Sequence, residues 1–212
     1  MRFPWPVLPA VSVALGAALA PAQADDELTI YELLAPDSHR FAITYDVTTS
    51  VEGARFFFNP IREGSQASDE RVVDRASGRA LPFSVVKGRE AKATGLVPAD
   101  AKDEALFIRV ELAAPVPKGG ETRLRIFKTY VDAKSYYLEG ERIVFERGLG
   151  VRRNVVVLPP GYELIGCAVP AIVSTETDGR VRLSVVNDRD DTLPVRVVGR
   201  RLKAPGPTGG SR

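Results

Sequence analysis

Apolar and polar residues alternate along several short stretches of this chain. Between residues 39 and 47, every second position belongs to one largely apolar set: His39, Phe41, Ile43, Tyr45 and Val47. Residues 106–112 and 123–126 repeat the pattern. Because successive side chains of a β-strand point to opposite faces, this period of two predicts strands with one buried face. No long stretch has the 3.6-residue period of an amphipathic helix, so the sequence favours an all-β protein.

Turn residues separate further candidate strands. We predict these strands at residues 28–34, 54–58, 71–74, 81–87, 142–147, 153–158, 162–167, 169–175, 181–186 and 194–199. Ser77-Gly78 predicts a hairpin between residues 71–74 and 81–86, and Asp178-Gly179 predicts a tighter one. Many short strands spaced by turns predict an antiparallel β-sandwich, immunoglobulin-like or of a related two-sheet architecture.

Little helix is expected in this sandwich, beyond a turn or two near residues 99–103. One domain is predicted over residues 25–203, since a chain of this length forms a single core. Residues 204–212 are rich in Pro, Gly and Ser, and we expect a disordered tail there.

The N-terminal residues have the pattern of a secretory signal peptide. Arg2 precedes an apolar run over residues 7–20, and Ala22-Gln23-Ala24 supplies a small-residue cleavage site. The apolar run is too short to cross a bilayer. We therefore expect removal of residues 1–24, no transmembrane segment in the mature chain, and a periplasmic or extracellular location.

The scarcity of reactive side chains limits the chemistry of this chain. Cys167 is the only cysteine and His39 the only histidine among 212 residues. One chain therefore cannot build a disulfide or a His- or Cys-rich zinc site. We predict no catalytic, cofactor-binding or metal-binding residue, and we expect His39 to be a structural or exposed residue. The formal net charge of +2 also argues against nucleic-acid binding, which needs a strongly basic surface.

Tyrosine and arginine concentrate between residues 128 and 153. These residue types are enriched at protein interfaces. The sequence therefore predicts a non-catalytic binding or structural module of the cell envelope, with an envelope or extracellular protein as its partner. The predicted partner-binding residues are Tyr130, Tyr136, Tyr137, Arg152 and Arg153.

One alternative is a small exported hydrolase that works with carboxylates alone. Glu139, Glu141 and Glu146 lie close together in the sequence, and a pair of carboxyl groups suffices for glycoside hydrolysis. This alternative requires two carboxylates in one cleft, one of them with a raised pKa.

Another alternative is an envelope domain stabilised by calcium. Asn187, Asp188, Asp190 and Asp191 offer the oxygen ligands that calcium prefers. Their spacing differs from that of an EF-hand loop, which leaves a solvated turn as the competing interpretation.

Two segments carry a resemblance to known proteins. Residues 70–81 (ERVVDRASGRAL) and 158–164 (LPPGYEL) resemble stretches of exported bacterial β-domain proteins. They are also similar to the N-terminal β-domain of M1-type zinc aminopeptidases. This resemblance implies a β-layered module without catalysis, because the HExxH helix and second glutamate ligand of those peptidases have no counterpart here.

Overall fold

The computed structural model describes residues 27–203 and confirms the all-β fold class. Within them lie a 3₁₀ turn (Pro36–Ser38), one short helix, α1 (Gly88–Lys92), and fourteen strands. The strands are β1 (Leu28–Leu33), β2 (Arg40–Thr49), β3 (Phe56–Ile61), β4 (Gln66–Asp74), β5 (Phe83–Lys87), β6 (Leu106–Glu111), β7 (Thr122–Val131), β8 (Tyr136–Glu139), β9 (Arg142–Leu149), β10 (Arg153–Val157), β11 (Tyr162–Cys167), β12 (Ile172–Thr175), β13 (Val181–Val186) and β14 (Leu193–Arg201). The predicted signal peptide and the predicted tail both lie outside the described residues.

The strands form three sheets. The largest has the order β12-β13-β10-β1-β2-β7-β4, a second has the order β11-β14-β9-β8, and the third has the order β3-β6-β5. Neighbouring strands are antiparallel except β1 and β10, which pair in parallel. The architecture is therefore a sandwich in which the seven-stranded sheet forms one layer and the two smaller sheets together form the other.

Both smaller sheets cover the same face of the seven-stranded sheet. On β7, alternate positions direct Ile126 and Tyr130 to that face. Ile126 packs with Ile108 of the three-stranded sheet. Tyr130 packs with Phe145 of the four-stranded sheet. The two smaller sheets therefore lie side by side above the large one, and a gap between them opens onto its buried face.

Aromatic rings fill the core between the seven-stranded and four-stranded sheets. The Phe145 ring lies 5.4 Å from the Tyr31 ring and 5.6 Å from the Phe41 ring, measured between centroids. Tilted and edge-on arrangements at these distances suit the ring quadrupoles. These three residues come from β1, β2 and β9, so they join the two sheets directly.

The Ser77-Gly78 turn forms, but the predicted hairpin does not extend beyond it. Val73 bridges to Ala80, and the Leu81 amide donates to the Val72 carbonyl oxygen. Pro82 follows and has no N–H group to continue the ladder. Its carbonyl oxygen instead accepts a hydrogen bond from the Glu111 amide at the end of β6. Residues 83–87 consequently pair with β6 in another sheet.

The predicted helix near residues 99–103 is absent, and α1 lies about ten residues earlier. The backbone of the predicted segment is engaged by the start of α1, where the Arg89 amide donates to the Asp103 carbonyl oxygen. A Cβ at Gly88 would lie 2.1 Å from the Lys102 carbonyl oxygen, so only glycine permits this approach. The hairpin around Asp178-Gly179 is confirmed, with β12 paired to β13. No helix within residues 27–203 has the length and apolar character needed to cross a membrane.

Candidate binding cleft

Two basic side chains occupy strand positions that point into the sandwich. Lys128 follows Leu124 and Ile126 at intervals of two on β7 and is only 6% exposed. Arg147 follows Phe145 at the same interval on β9, and its side chain is 8% exposed. Because the inward face of each strand is otherwise apolar, these two cations are exceptions to the pattern of burial.

Both cations line a cleft where the three sheets meet. The cleft has a volume of about 470 Å³. Its walls are Thr29, Tyr31, Ile43, Tyr45, Asn59, Pro60, Arg62, Lys128, Tyr130, Arg147, Gly148, Gly150, Val151 and Thr192. The gap between the two smaller sheets therefore exposes part of the large sheet's inner face to ligands.

Lys128 has a neutral hydrogen-bond partner in place of a counter-ion. Its Nζ donates to Asn59 Oδ1 on β3 and lies 5.0 Å from the centroid of the Tyr130 ring. Within residues 27–203, no carboxylate oxygen lies at ion-pair distance from Lys128. Burial and the nearby charge of Arg147 lower the pKa of Lys128 to about 8, although Glu70 acts in the opposite direction.

Arg147 is surrounded by aromatic rings and has one carboxylate partner. Its guanidinium carbon lies 5.5 to 5.8 Å from the centroids of the Tyr31, Phe41 and Tyr130 rings, which is within cation–π range. Its Nη1 lies 3.3 Å from Asp132 Oδ2. Burial lowers the pKa of Arg147, but an arginine stays protonated in proteins.

The Asp132 carboxylate accepts hydrogen bonds from several donors. Its Oδ2 accepts hydrogen bonds from the hydroxyls of Ser65 and Ser135, and its Oδ1 accepts the amides of Lys134 and Ser135. Burial opposes ionisation, yet the bonds from Ser135 and Ser65 hold the pKa of Asp132 below its usual range. Asp132 therefore compensates the charge of Arg147, whereas among residues 27–203 Lys128 has no carboxylate at ion-pair distance.

Tyrosines supply the remaining polar groups of the cleft. Burial raises the pKa of Tyr31, Tyr45 and Tyr130, so these phenols are neutral at physiological pH. Tyr45 is hydrogen-bonded to Glu27, and the Tyr130 hydroxyl accepts a hydrogen bond from the Arg62 amide. The cleft thus combines apolar ring surface, neutral hydroxyls and positive charge, a combination suited to binding a ligand.

The structure does not bring the five predicted partner-binding residues into one exposed surface. Tyr130 and Tyr136 are 1% and 0% exposed, because both occupy inward positions of their strands. Tyr136 donates from its hydroxyl to the Leu34 carbonyl oxygen. Tyr137 is half-buried, whereas Arg152 and Arg153 are exposed. Tyr130 and Tyr136 are therefore buried in this structure, and partner binding by the five residues stays a prediction.

The carboxylates of the hydrolase alternative lie outside the cleft. Glu139 and Glu146 are exposed and pair with Arg196 at 3.2 Å and 3.5 Å. Glu141 is also exposed. No acidic residue is among the described residues that line the cleft, so this cleft does not bring together the two carboxylates that the alternative requires.

Two of the four residues in the predicted calcium loop, Asn187 and Asp191, have side-chain oxygens bonded to Arg189 of the same loop. Asn187 is buried, and its side-chain oxygen accepts the Arg189 amide at 3.0 Å. The Asp191 carboxylate is held by the Arg189 guanidinium through two contacts. Within residues 27–203 there is no group of three or more side chains arranged to hold a metal ion.

His39 immediately precedes β2 and has a left-handed backbone conformation, with φ of 54°. Its Nδ1 lies 2.9 Å from the Tyr136 carbonyl oxygen. This contact ties the turn before β2 to β8.

Sequence reasoning missed Lys128, Arg147 and Asn59 as candidate site residues. For the two cations a signal was present, because each falls at an alternate position with apolar neighbours: Lys128 with Leu124 and Ile126, and Arg147 with Ile143 and Phe145. A cation in such a series indicates a buried charge, which is rare unless it is paired. The convergence of these residues from three sheets could not be read from the sequence.

Structural comparison identifies proteins with a similar fold. A mutant M1 zinc metallopeptidase from Deinococcus radiodurans, bound to a Tyr-Ser-Ala substrate, aligns with a TM-score of 0.50 and 11% identity. The alignment covers 82% of this chain and 41% of that protein. An aminopeptidase N family protein from Idiomarina loihiensis aligns with a TM-score of 0.46 and 11% identity, over 81% of this chain and 29% of that one.

No family model matches the sequence, and no curated protein matches it significantly. The resemblance to M1 zinc aminopeptidases that the sequence suggested is confirmed for the fold. The chain spans less than half the length of the metallopeptidase that it matches. At this level of identity, the likeness establishes a shared β-domain fold.

Proposed function

We propose that this chain is an exported, non-catalytic binding domain of the cell envelope and that the cleft holds a small ligand. The cleft carries the binding part of the proposal. Its volume of about 470 Å³ lies within the roughly 300–1,000 Å³ of small-molecule sites. Aromatic walls with a few convergent polar groups are also typical of such sites.

The chemistry of the lining favours binding over catalysis. The described lining residues include no histidine, cysteine, aspartate or glutamate, which are the most frequent general bases and nucleophiles of enzymes. The export part of the proposal is supported by the signal-peptide pattern of residues 1–24.

Export is tested by expressing the complete chain, with its N-terminal segment, in a bacterial host. Mass spectrometry of the purified product should show a chain that begins at Asp25, recovered from the envelope fraction. Retention of residues 1–24 in the cytoplasm would contradict export.

Ligand binding is tested by native mass spectrometry of the protein after incubation with a small-molecule extract of the envelope. We expect one or more bound species, which Gly150→Phe should displace because Gly150 lines the cleft. A Cβ there would have Thr192 Cγ2 at 3.8 Å as its nearest neighbour, so the backbone tolerates the change. Ala114→Phe, at an exposed position outside the cleft, serves as the control. Equal binding of the envelope ligands by both variants would exclude the cleft as their binding site.

A second candidate function is capture of an extended segment of an envelope protein at the β12 edge of the seven-stranded sheet. Ile172 and Val173 on this edge strand are 73% and 54% exposed. An open edge with apolar side chains is suited to the addition of a partner strand. Val173→Pro, which removes a backbone donor, should abolish such capture from an envelope extract, whereas Val51→Pro in an exposed loop should not.

A further inference from the structure

We propose that the ligand in this cleft carries an anionic oxygen group, a carboxylate or a phosphate, and that the Lys128 ammonium binds it. This inference rests on the cleft being a ligand site, as proposed above. It specifies the chemistry of the group that lies beside Lys128.

The hydrogen-bonding capacity of Lys128 points to an anion. An ammonium group has three N–H donors, and within residues 27–203 Asn59 Oδ1 is the one hydrogen-bond acceptor of Nζ. Two donors therefore remain for groups that enter the cleft. A charged acceptor forms stronger hydrogen bonds to an ammonium than a neutral one.

The charges around Lys128 favour the same ligand. Arg147 on β9 and Arg62 beyond β3 add positive charge to the lining. Two acidic groups contact other residues of the lining: Asp132 binds Arg147 and two serines, and Glu27 binds Tyr45.

Other titratable groups that face Lys128 do not reverse this balance. Tyr31, Tyr45 and Tyr130, from the three strands beneath the cleft, have raised pKa values and are neutral. Glu70 on β4 affects Lys128 less than burial or Arg147 does. An anion in the cleft therefore meets a described lining that has three cationic side chains, Arg62, Lys128 and Arg147, and no carboxylate.

The aromatic walls define the rest of the ligand. Tyr31, Tyr45 and Tyr130 present ring surface beside the two cations. A flat or apolar group next to the anionic oxygens would contact these rings while its charge reaches Lys128. A small aromatic acid has this combination of features.

Isothermal titration calorimetry of the full chain at pH 7 tests the proposal with three probes. Inorganic phosphate and 4-hydroxyphenylacetate represent the two anion classes, and 4-hydroxyphenylacetamide is the uncharged analogue. We expect saturable binding of at least one anion and at least tenfold weaker binding of it by Lys128→Met, as expected for loss of a buried charge partner. Lys118→Met, at an exposed turn, should bind like the unmodified chain.

The pH dependence provides a test that needs no variant. Affinity for 4-hydroxyphenylacetate, whose carboxylate is ionised throughout, should fall about tenfold between pH 7 and pH 9, because the protonated fraction of a lysine with a pKa of about 8 falls by that factor. Carbon-13 NMR of the Lys128 side chain should show that the anion raises its pKa.

The outcomes separate this inference from the proposed function. Binding of the uncharged amide as tightly as 4-hydroxyphenylacetate, with loss in Gly150→Phe, would keep the cleft as a ligand site and overturn the anion proposal. Anion binding that Lys128→Met leaves unchanged, or no saturable binding of either anion, would also overturn it. Envelope ligands that Gly150→Phe does not displace would instead contradict the proposed function.

Discussion

A lysine ammonium loses most of its hydration when it is buried in a sheet interior, and at Lys128 this loss lowers the pKa to about 8. An unfolded lysine has a pKa of about 10.4. Below pH 8 the amine is charged in both states, so folding carries the full desolvation cost. Between pH 8 and about 10.4 the folded chain releases the proton first, and this destabilising contribution disappears as the pH rises.

Lys128→Met should therefore raise the free energy of unfolding at pH 7 by about 2 kcal/mol, after allowing for the lost hydrogen bond to Asn59. The gain should largely vanish at pH 10, where the folded lysine is already neutral. Urea denaturation of both proteins at the two pH values measures this difference. A gain that is equal at both pH values would contradict the assigned burial cost.

Asp132→Asn should lower the free energy of unfolding by about 3 kcal/mol, because it leaves the buried guanidinium of Arg147 without a counter-ion. Asp69→Asn is a matched control. Asp69 pairs with Arg40 at the surface, where both side chains are exposed, and such pairs contribute about 0–1 kcal/mol. Thermal denaturation of the two variants distinguishes them, and similar losses would contradict the role given to Asp132.

Among the elements, β9 and β11 leave little space beside Gly199 of β14, which lies between them in the four-stranded sheet. A Cβ at Gly199 would lie 3.0 Å from Ile143 Cγ1 and 3.1 Å from the Glu163 carbonyl oxygen. Gly199→Ala should destabilise the protein by about 1–3 kcal/mol, the usual effect of overpacking. Gly166→Ala in the neighbouring strand has its nearest contact at 4.0 Å and should change stability by less than about 1 kcal/mol. Equal effects in chemical denaturation would refute this difference.

The period-two pattern predicted strands well because it records which face of a strand is buried. Residues 162–167 and 181–186 coincide with β11 and β13. The same pattern does not identify the partner of each strand. It therefore could not show that β5, which follows Pro82, pairs with β6 and not with β4. The parallel pairing of β1 with β10 was equally inaccessible, since it joins residues more than a hundred positions apart.

The candidate site was less predictable than the strands. It depends on Lys128, Arg147 and Asn59 meeting from three sheets, and such a meeting follows from topology. Conversely, Tyr130 and Tyr136 suggested an interface by residue type, whereas the fold places both rings in the core.

For the whole molecule, the three sheets differ in how deeply they are buried. The main core lies between the seven-stranded and four-stranded sheets. The outer cluster of the three-stranded sheet is small, with five buried members: Phe58, Val86, Ala91, Val97 and Phe107. Because local opening begins where few apolar contacts hold an element, amides of β5 should exchange with deuterium faster than those of β2. Equal protection of both strands in hydrogen-exchange mass spectrometry would contradict this order.

The parallel pairing of β1 with β10 also determines when the seven-stranded sheet can be completed. β1 lies between β10 and β2 in this sheet. Residues 28–33 are therefore synthesised long before residues 153–157, with which they pair. Until then, a β1–β2 hairpin has an open edge that includes Tyr31 and Leu33. A chain threaded through a translocation channel from its N-terminus would therefore deliver most of its length before the central sheet closes, and such long-range closure makes folding slow.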